Sequence, residues 1–255
     1  MKPKFIFFTD FDGTITLQDS NNYMTDNIGY GEAKRKQGNK DTLEGNITFR
    51  DSFKDMMDSV TRPYSECIEF LVQNIKLDPH FNEFYKWALG NNVPVVVLTG
   101  GMEPIVKALL EKLVGSDFDK LQVVGNNVAA RPGKTIDEEG GWTITFRDES
   151  EHGHDKSLTL RPYAELPESE RPVMFYAGDG VSDVSAARET DLLFAKKGED
   201  LITYCVREDI PFTLFENWKS ILEKVKQIYN GDISVKDAAA EGHRLFKAGQ
   251  AGVDM

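Results

Sequence analysis

Apolar and polar residues fall along this chain in blocks. Five short stretches are almost uninterrupted in apolar or β-branched residues: Phe5-Ile6-Phe7-Phe8-Thr9, Val93-Pro94-Val95-Val96-Val97-Leu98, Leu121-Gln122-Val123-Val124, Pro172-Val173-Met174-Phe175-Tyr176-Ala177 and Leu192-Leu193-Phe194-Ala195. Runs of this length without polar alternation predict strands buried on both faces, the environment of a parallel sheet covered by helices. Between them the period changes to that of a helix. Ile105, Leu109, Leu110 and Leu113 share a face over 103–114, a further helix is expected over 182–190, and Ile221, Leu222, Val225 and Ile228 share a face over 218–229. Strand alternating with helix predicts an α/β fold, a doubly wound, mainly parallel Rossmann-like sheet. Such sheets bind ligands beyond the carboxyl ends of their strands.

Residues 16–88 break the alternation. Helical patterns over 21–28, 49–60, 63–72 and 81–89 occur there with no strand run, which predicts a small all-helical cap domain inserted into the core. The expected division is a discontinuous core of 1–15 and 89–230, a cap of 16–88, and a frayed C-terminal helix and tail over 231–255. Residues 127–148 read as a hairpin or flap with Glu139-Gly140-Gly141-Trp142 at its turn.

Composition narrows the function. Of 255 residues, 42 are acidic and 30 are Lys or Arg, a formal net charge of −12. That balance argues against a nucleic-acid surface, which needs clustered cations. The N-terminal apolar run is cut by Asp10, too short for a signal peptide or a membrane span. Cys67 and Cys205 lie far apart in apolar surroundings and read as buried thiols of a reducing, cytoplasmic compartment. Nothing in the pattern bears on oligomeric state, monomer or homodimer.

The candidate chemistry lies where the strand runs end. Asp10 and Asp12 are two residues apart at the end of the first run and can face one site. Like charges that close raise each other's pKa unless a cation joins them, so the pair predicts a metal. Asp10 is a candidate nucleophile toward phosphorus and Asp12 a candidate general acid/base. A second acidic cluster, Gly178-Asp179-Gly180-Val181-Ser182-Asp183, follows the fourth run; Asp179 and Asp183 can reach the same ion, directly or through its water. Carboxylate oxygens are the ligands Mg²⁺ selects. Thr99, Gly100 and Gly101 can cradle phosphate oxygens ahead of a helix starting near Glu103. Lys156 is a candidate cation for that phosphate, with Lys134 as its rival; His152 and His154 read as loop residues.

Taken in order, Asp10-Phe11-Asp12-Gly13-Thr14, Thr99-Gly100-Gly101, Lys156 and Gly178-Asp179-Gly180-Val181-Ser182-Asp183 resemble the four motifs of the haloacid dehalogenase superfamily, in its phosphoserine-phosphatase-like branch. The resemblance favours Lys156 over Lys134 and implies a helical cap after the first motif. It also implies that Asp10 attacks phosphorus, that Asp12 protonates the leaving alkoxide, and that Asp10, the Asp12 carbonyl and Asp179 hold Mg²⁺ with Asp183 in support. Enzymes of this kind act on small phosphorylated metabolites.

Substrate choice is expected in the cap. Where phosphoserine phosphatases carry a glutamate, a phenylalanine and a carboxylate-gripping arginine, this chain has Asp19, Phe49 and Met56. Without that arginine phosphoserine is a poor fit, and Arg50 stands on another helix face. Leu77-Asp78-Pro79 and the stretch from Asp148 to Ser157 look most like a fungal group of sugar-alcohol phosphate phosphatases. The expected activity is therefore hydrolysis of polyol phosphates. Alternatives are a phosphoserine or methionine-salvage phosphatase, or a catalytically silent phosphometabolite-binding protein.

Overall fold

All five apolar runs become strands, and the helical stretches connect them. The structure, a computed structural model, describes residues 2–115 and 118–253. In chain order its elements begin β1 (Phe5–Thr9), α1 (Ser20–Ile28), α2 (Glu32–Leu43), α3 (Phe49–Asp58), α4 (Tyr64–Asn74), α5 (Phe81–Gly90), β2 (Val95–Met102) and α6 (Glu103–Val114). Then follow β3 (Gln122–Ala130), β4 (Trp142–Thr145), α7 (Ser157–Ala164), β5 (Val173–Gly178), α8 (Val184–Ala187), β6 (Leu192–Lys196), α9 (Leu201–Arg207), β7 (Phe212–Phe215), α10 (Trp218–Asn230) and α11 (Val235–Lys247). The strand order is β4-β3-β2-β1-β5-β6-β7. Pairing is parallel from β2 through β1 and β5 to β7, and antiparallel between β3 and β4. Among the described residues no helix is long and apolar enough to cross a membrane.

The chain forms two compact units, residues 1–15, 77–98 and 156–255, and residues 16–76 and 99–155. In the first, β1 is buried along its whole length. Phe7 is the hub of its core, its ring 4.8 Å from Phe84, 5.5 Å from Phe194, 5.7 Å from Trp218 and 6.0 Å from Phe175. α5, which the hydrophobic pattern groups with the insert, lies in this unit. The reason is its aromatic face: the Phe81 and Phe84 rings pack on Trp218 at 4.8 and 4.7 Å. The C-terminal helix expected after residue 231 is α11, and it is capped, not frayed. Ser234 and Asp237 form its capping box, it packs along β7, and His243 lies 4.8 Å from the Phe212 ring.

The second unit joins helices α1 to α4 to α6 and the β3–β4 hairpin. Arg131 and Thr143 of the hairpin both donate to Asp58 at the end of α3, each at 2.7 Å. The indole N–H of buried Trp142 donates to the Arg62 carbonyl at 2.9 Å. α2 has no counterpart in the hydrophobic pattern, because it carries no apolar stripe; exposed pairs such as Lys36–Glu32 and Lys40–Glu44 lie along it instead. α7, α9 and β7 were also not foreseen, each being four to eight residues long and lacking a distinctive period. Cys67 and Cys205 are buried free thiols, each pushed up to about 12 by burial.

Truncating the hub of the first unit should be costly. Phe7→Ala is expected to lower unfolding free energy by about 3–5 kcal/mol, the usual loss for a buried aromatic, in urea denaturation followed by circular dichroism.

Candidate active site

The first unit assembles its polar centre where β1 and β5 end side by side. Asp10 follows the last residue of β1, and its N–H continues the parallel ladder to the Ala177 carbonyl at 2.8 Å. The chain then turns at Gly13, whose φ of +77° is costly for residues with a side chain. Space decides the matter too: a Cβ on Gly13 would stand 2.3 Å from an oxygen of Asp179. A Cβ on Gly178 would stand 2.4 Å from an oxygen of Asp183. These two glycines make room for the two acids of the second cluster.

The turn after β1 is anchored on several sides. Thr14 Oγ1 donates to Asp179 Oδ1 at 3.0 Å, and Lys196 Nζ donates to the Gly13 carbonyl. Trp218 donates its indole N–H to the Thr14 carbonyl at 2.8 Å. Its backbone N–H goes to Asp78 Oδ2 at 3.2 Å, and the Asp78 N–H in turn goes to the Ile15 carbonyl at 2.8 Å.

Lys156 is fully buried and ties the acids together. Its ammonium donates to Asp10 Oδ1 at 2.7 Å, to Asp183 Oδ1 at 2.6 Å and to the Tyr176 hydroxyl at 3.1 Å. Asp183 Oδ1 also receives the Tyr176 O–H at 2.6 Å, while its Oδ2 receives the N–H groups of Asp179 and Gly180 at 3.0 and 3.1 Å. Lys134, the rival lysine, is exposed and donates to the Glu139 carbonyl within its own loop.

Burial and crowding set the charges. Asp10 is raised well above the ordinary carboxylate value by burial and by Asp183 and Asp179, against the opposing pull of Lys156. Asp179 is raised to about 7, first by burial and then by Asp183. Burial would lower Lys156, but the charges of Asp10 and Asp183 outweigh it and hold the lysine protonated. Burial and Asp183 keep Tyr176 in its neutral, donating form.

Asp10, Asp179 and Asp183 each offer an oxygen, and these oxygens lie within 4.8 Å of one another. An all-oxygen anionic set in which Asp10 and Asp179 resist ionisation fits a hard divalent cation. Asp183 is the member most occupied by protein donors. The Asp12 carboxylate is half-buried in the turn and is not part of this group.

The remaining sequence candidates lie in the second unit. Thr99 Oγ1 accepts from the Gly101 N–H at 2.9 Å, so that N–H is used within the turn. Asn126, which the sequence pattern did not single out, and His154, read there as a loop residue, hold the same segment. Asn126 donates to the Gly100 carbonyl at 2.7 Å, and His154 Nδ1, which must carry the proton to face a carbonyl, meets Thr99 O at 2.7 Å. The Asn21 amide lies against Gly101, within 3.0 Å of where a Cβ would stand. Asp19 is the N-cap of α1, accepting from the Asn22 N–H at 2.8 Å. Phe49 begins α3, part exposed, stacked on Phe53 at 5.7 Å and 6.0 Å from His152. Met56 is buried on the apolar face of α3. Arg50 donates to the Asp148 carbonyl and lies 4.4 Å over the Phe146 ring.

Fold and site together define an α/β protein in which a buried carboxylate, Asp10, follows a central parallel strand and pairs with a buried lysine. The chain belongs to the haloacid dehalogenase-like hydrolase family, whose sequence model matches residues 7–188. It is 45% identical over 241 residues to the polyol phosphate phosphatase PYP1 of Saccharomyces cerevisiae, covering 92% of this chain and 98% of that one. It is 48% identical over 229 residues to the Pdp3-interacting factor 1 of Schizosaccharomyces pombe, covering 89% and 97%. Its fold is similar to that of a phospho-aspartyl intermediate analogue of phosphoserine phosphatase, with a TM-score of 0.64 at 19% identity over 88% of this chain and 99% of that one.

Asp179 carries a pH signature. Unfolded, it releases its proton near 3.8; folded without metal, it keeps the proton to about 7. Between those values the folded chain holds the extra proton, so this group's contribution to stability falls as pH rises through the window. A cation that neutralises the cluster removes that loss. Millimolar Mg²⁺ is therefore expected to raise Tm more at about pH 8 than at about pH 5, as read by differential scanning fluorimetry.

Proposed function

We propose that the protein is a Mg²⁺-dependent phosphatase that hydrolyses small polyol phosphates through an aspartyl-phosphate on Asp10. The observation that carries the reading is the buried pairing of Asp10 with Lys156 at 2.7 Å, at the mouth of the strands, beside Asp179. Kinship across nearly the whole length with a polyol phosphate phosphatase supports the substrate class.

In the proposed reaction an Asp10 carboxylate oxygen attacks phosphorus, and the bond from phosphorus to the alcohol oxygen breaks. Asp12 gives the departing alkoxide its proton. Asp12 then takes a proton from water as that water attacks phosphorus, freeing Asp10 and releasing inorganic phosphate. Lys156 holds positive charge beside Asp10, where negative charge gathers on the transferring group. Asp10, Asp179 and the backbone carbonyl of Asp12 would hold Mg²⁺, which when bound neutralises the acids and the phosphate. Asp183 supports the site through Lys156.

The cap supports a neutral alcohol. Met56 holds the sequence position at which phosphoserine phosphatases carry a carboxylate-gripping arginine, and it is buried. Two guanidiniums of this unit are committed within it: Arg35 makes a two-pronged pair with Asp26 at 2.7 and 2.8 Å, and Arg50 donates to the Asp148 and Ser150 carbonyls. A substrate carboxylate that drew on either would disrupt that pairing, a cost a polyol does not incur. Asn21, beside Gly101, offers an amide suited to hydroxyl groups.

Steady-state assays over sorbitol, ribitol, glycerol and serine phosphates test the reading. The polyol esters should lead phosphoserine by roughly 10- to 100-fold in kcat/KM. Chelation of divalent metal should abolish turnover, and Asp10→Asn should lower kcat by at least about 10³-fold. Full activity in Asp10→Asn would overturn the mechanism; a clear lead for phosphoserine would overturn the substrate class alone.

A further inference from the structure

Tyr176 has no role in the reaction as derived so far, yet its hydroxyl sits at the centre of the charged cluster. The side chain projects from β5 and is fully buried, and a hydroxyl removed from water requires partners. Both partners here are ions. The O–H goes to Asp183 Oδ1 at 2.6 Å, and a lone pair receives Lys156 Nζ at 3.1 Å.

An ammonium has three N–H groups and accepts nothing. In Lys156 they go to three different acceptors, Asp10, Asp183 and Tyr176. Asp183 is held as completely, with two donors on each oxygen. Lys156, Asp183 and Tyr176 thus close a ring in which each member meets the other two. Were the phenol absent, the ammonium would have two acceptors for three protons. It could then rotate or tilt, and the single N–H aimed at Asp10 would lose its fixed direction.

We propose that Tyr176 is a positioning residue for the phosphatase reaction: as third acceptor of Lys156 and second side-chain donor to Asp183, it fixes the direction in which the lysine meets the nucleophile. The inference rests on the role given to Lys156 above. It makes Tyr176 different from the apolar residues on either side of it in β5, for which packing is the whole requirement.

A double-mutant cycle tests it. Tyr176→Phe keeps the ring and removes the hydroxyl; kcat/KM for p-nitrophenyl phosphate should fall about tenfold. In Lys156→Met, whose residual activity is the second baseline, adding Tyr176→Phe should change the rate by less than about twofold. Equal losses in the two backgrounds, or an unchanged rate in Tyr176→Phe alone, would overturn the proposal, because a structural role for the phenol acts whether or not the lysine is present. Nitrogen-edited NMR of the unsubstituted protein gives a reading that needs no variant to fold. The Lys156 ammonium should be protected from exchange and show a through-space contact to the Tyr176 ring, and absence of that contact would equally overturn the proposal. If Asp10→Asn is inactive while the cycle is additive, the phosphatase reading stands and only the role of Tyr176 fails.

Discussion

One buried lysine makes the acidic centre of this protein tenable. Three carboxylates stand close enough to share an ion, and each loses hydration when the sheet closes around them. Lys156 answers two of them directly, at 2.7 and 2.6 Å, and remains protonated because those charges outweigh its own desolvation. The compensation is partial. Asp10 and Asp179 are still raised, the condition under which a hard divalent cation adds most.

Much of the local structure follows from placing those charges accurately. Glycine stands at 13 and 178 because carboxylate oxygens occupy the space that a side chain would take. The turn after β1 is tied to Asp179 through Thr14, to β6 through Lys196 and to the start of α10 through Trp218. None of these contacts touches the proposed reacting bond. Their effect is to narrow the positions open to Asp10 and Asp179, and a site held by rigid elements can keep its geometry through a reaction. The second unit follows the same economy in its own way. Arg35 and Arg131 pair there with Asp26 and Asp58, and Arg50 donates to loop carbonyls.

The strands and the acids at their ends were legible because each leaves a local mark. An uninterrupted apolar run needs burial on both faces, and Asp10-Phe11-Asp12-Gly13-Thr14 directly after such a run has no ordinary packing explanation. α2 was illegible because a helix that is polar all round has no stripe to read. Asp19 reads in the sequence as a substrate-binding group, and its geometry is that of a helix cap. Tyr176 was hidden among apolar neighbours, since its ring satisfies a strand pattern and the pattern says nothing of its hydroxyl. Asn126 was passed over, and His154 read only as a loop residue, because their partners, two backbone carbonyls, carry no side-chain signature.

By itself, then, the sequence determined the five core strands, the helices that carry an apolar stripe and the placing of Asp10, Asp179 and Asp183 at strand ends. These depend on patterns a few residues long and on charge. The tertiary structure alone decided that Asp183 is saturated by protein donors, that α5 belongs with the aromatic core, and that Arg50 is committed to a loop. Each of those outcomes depends on hydrogen-bond or packing partners distant in sequence, which meet only when the chain has folded and water has been excluded between them.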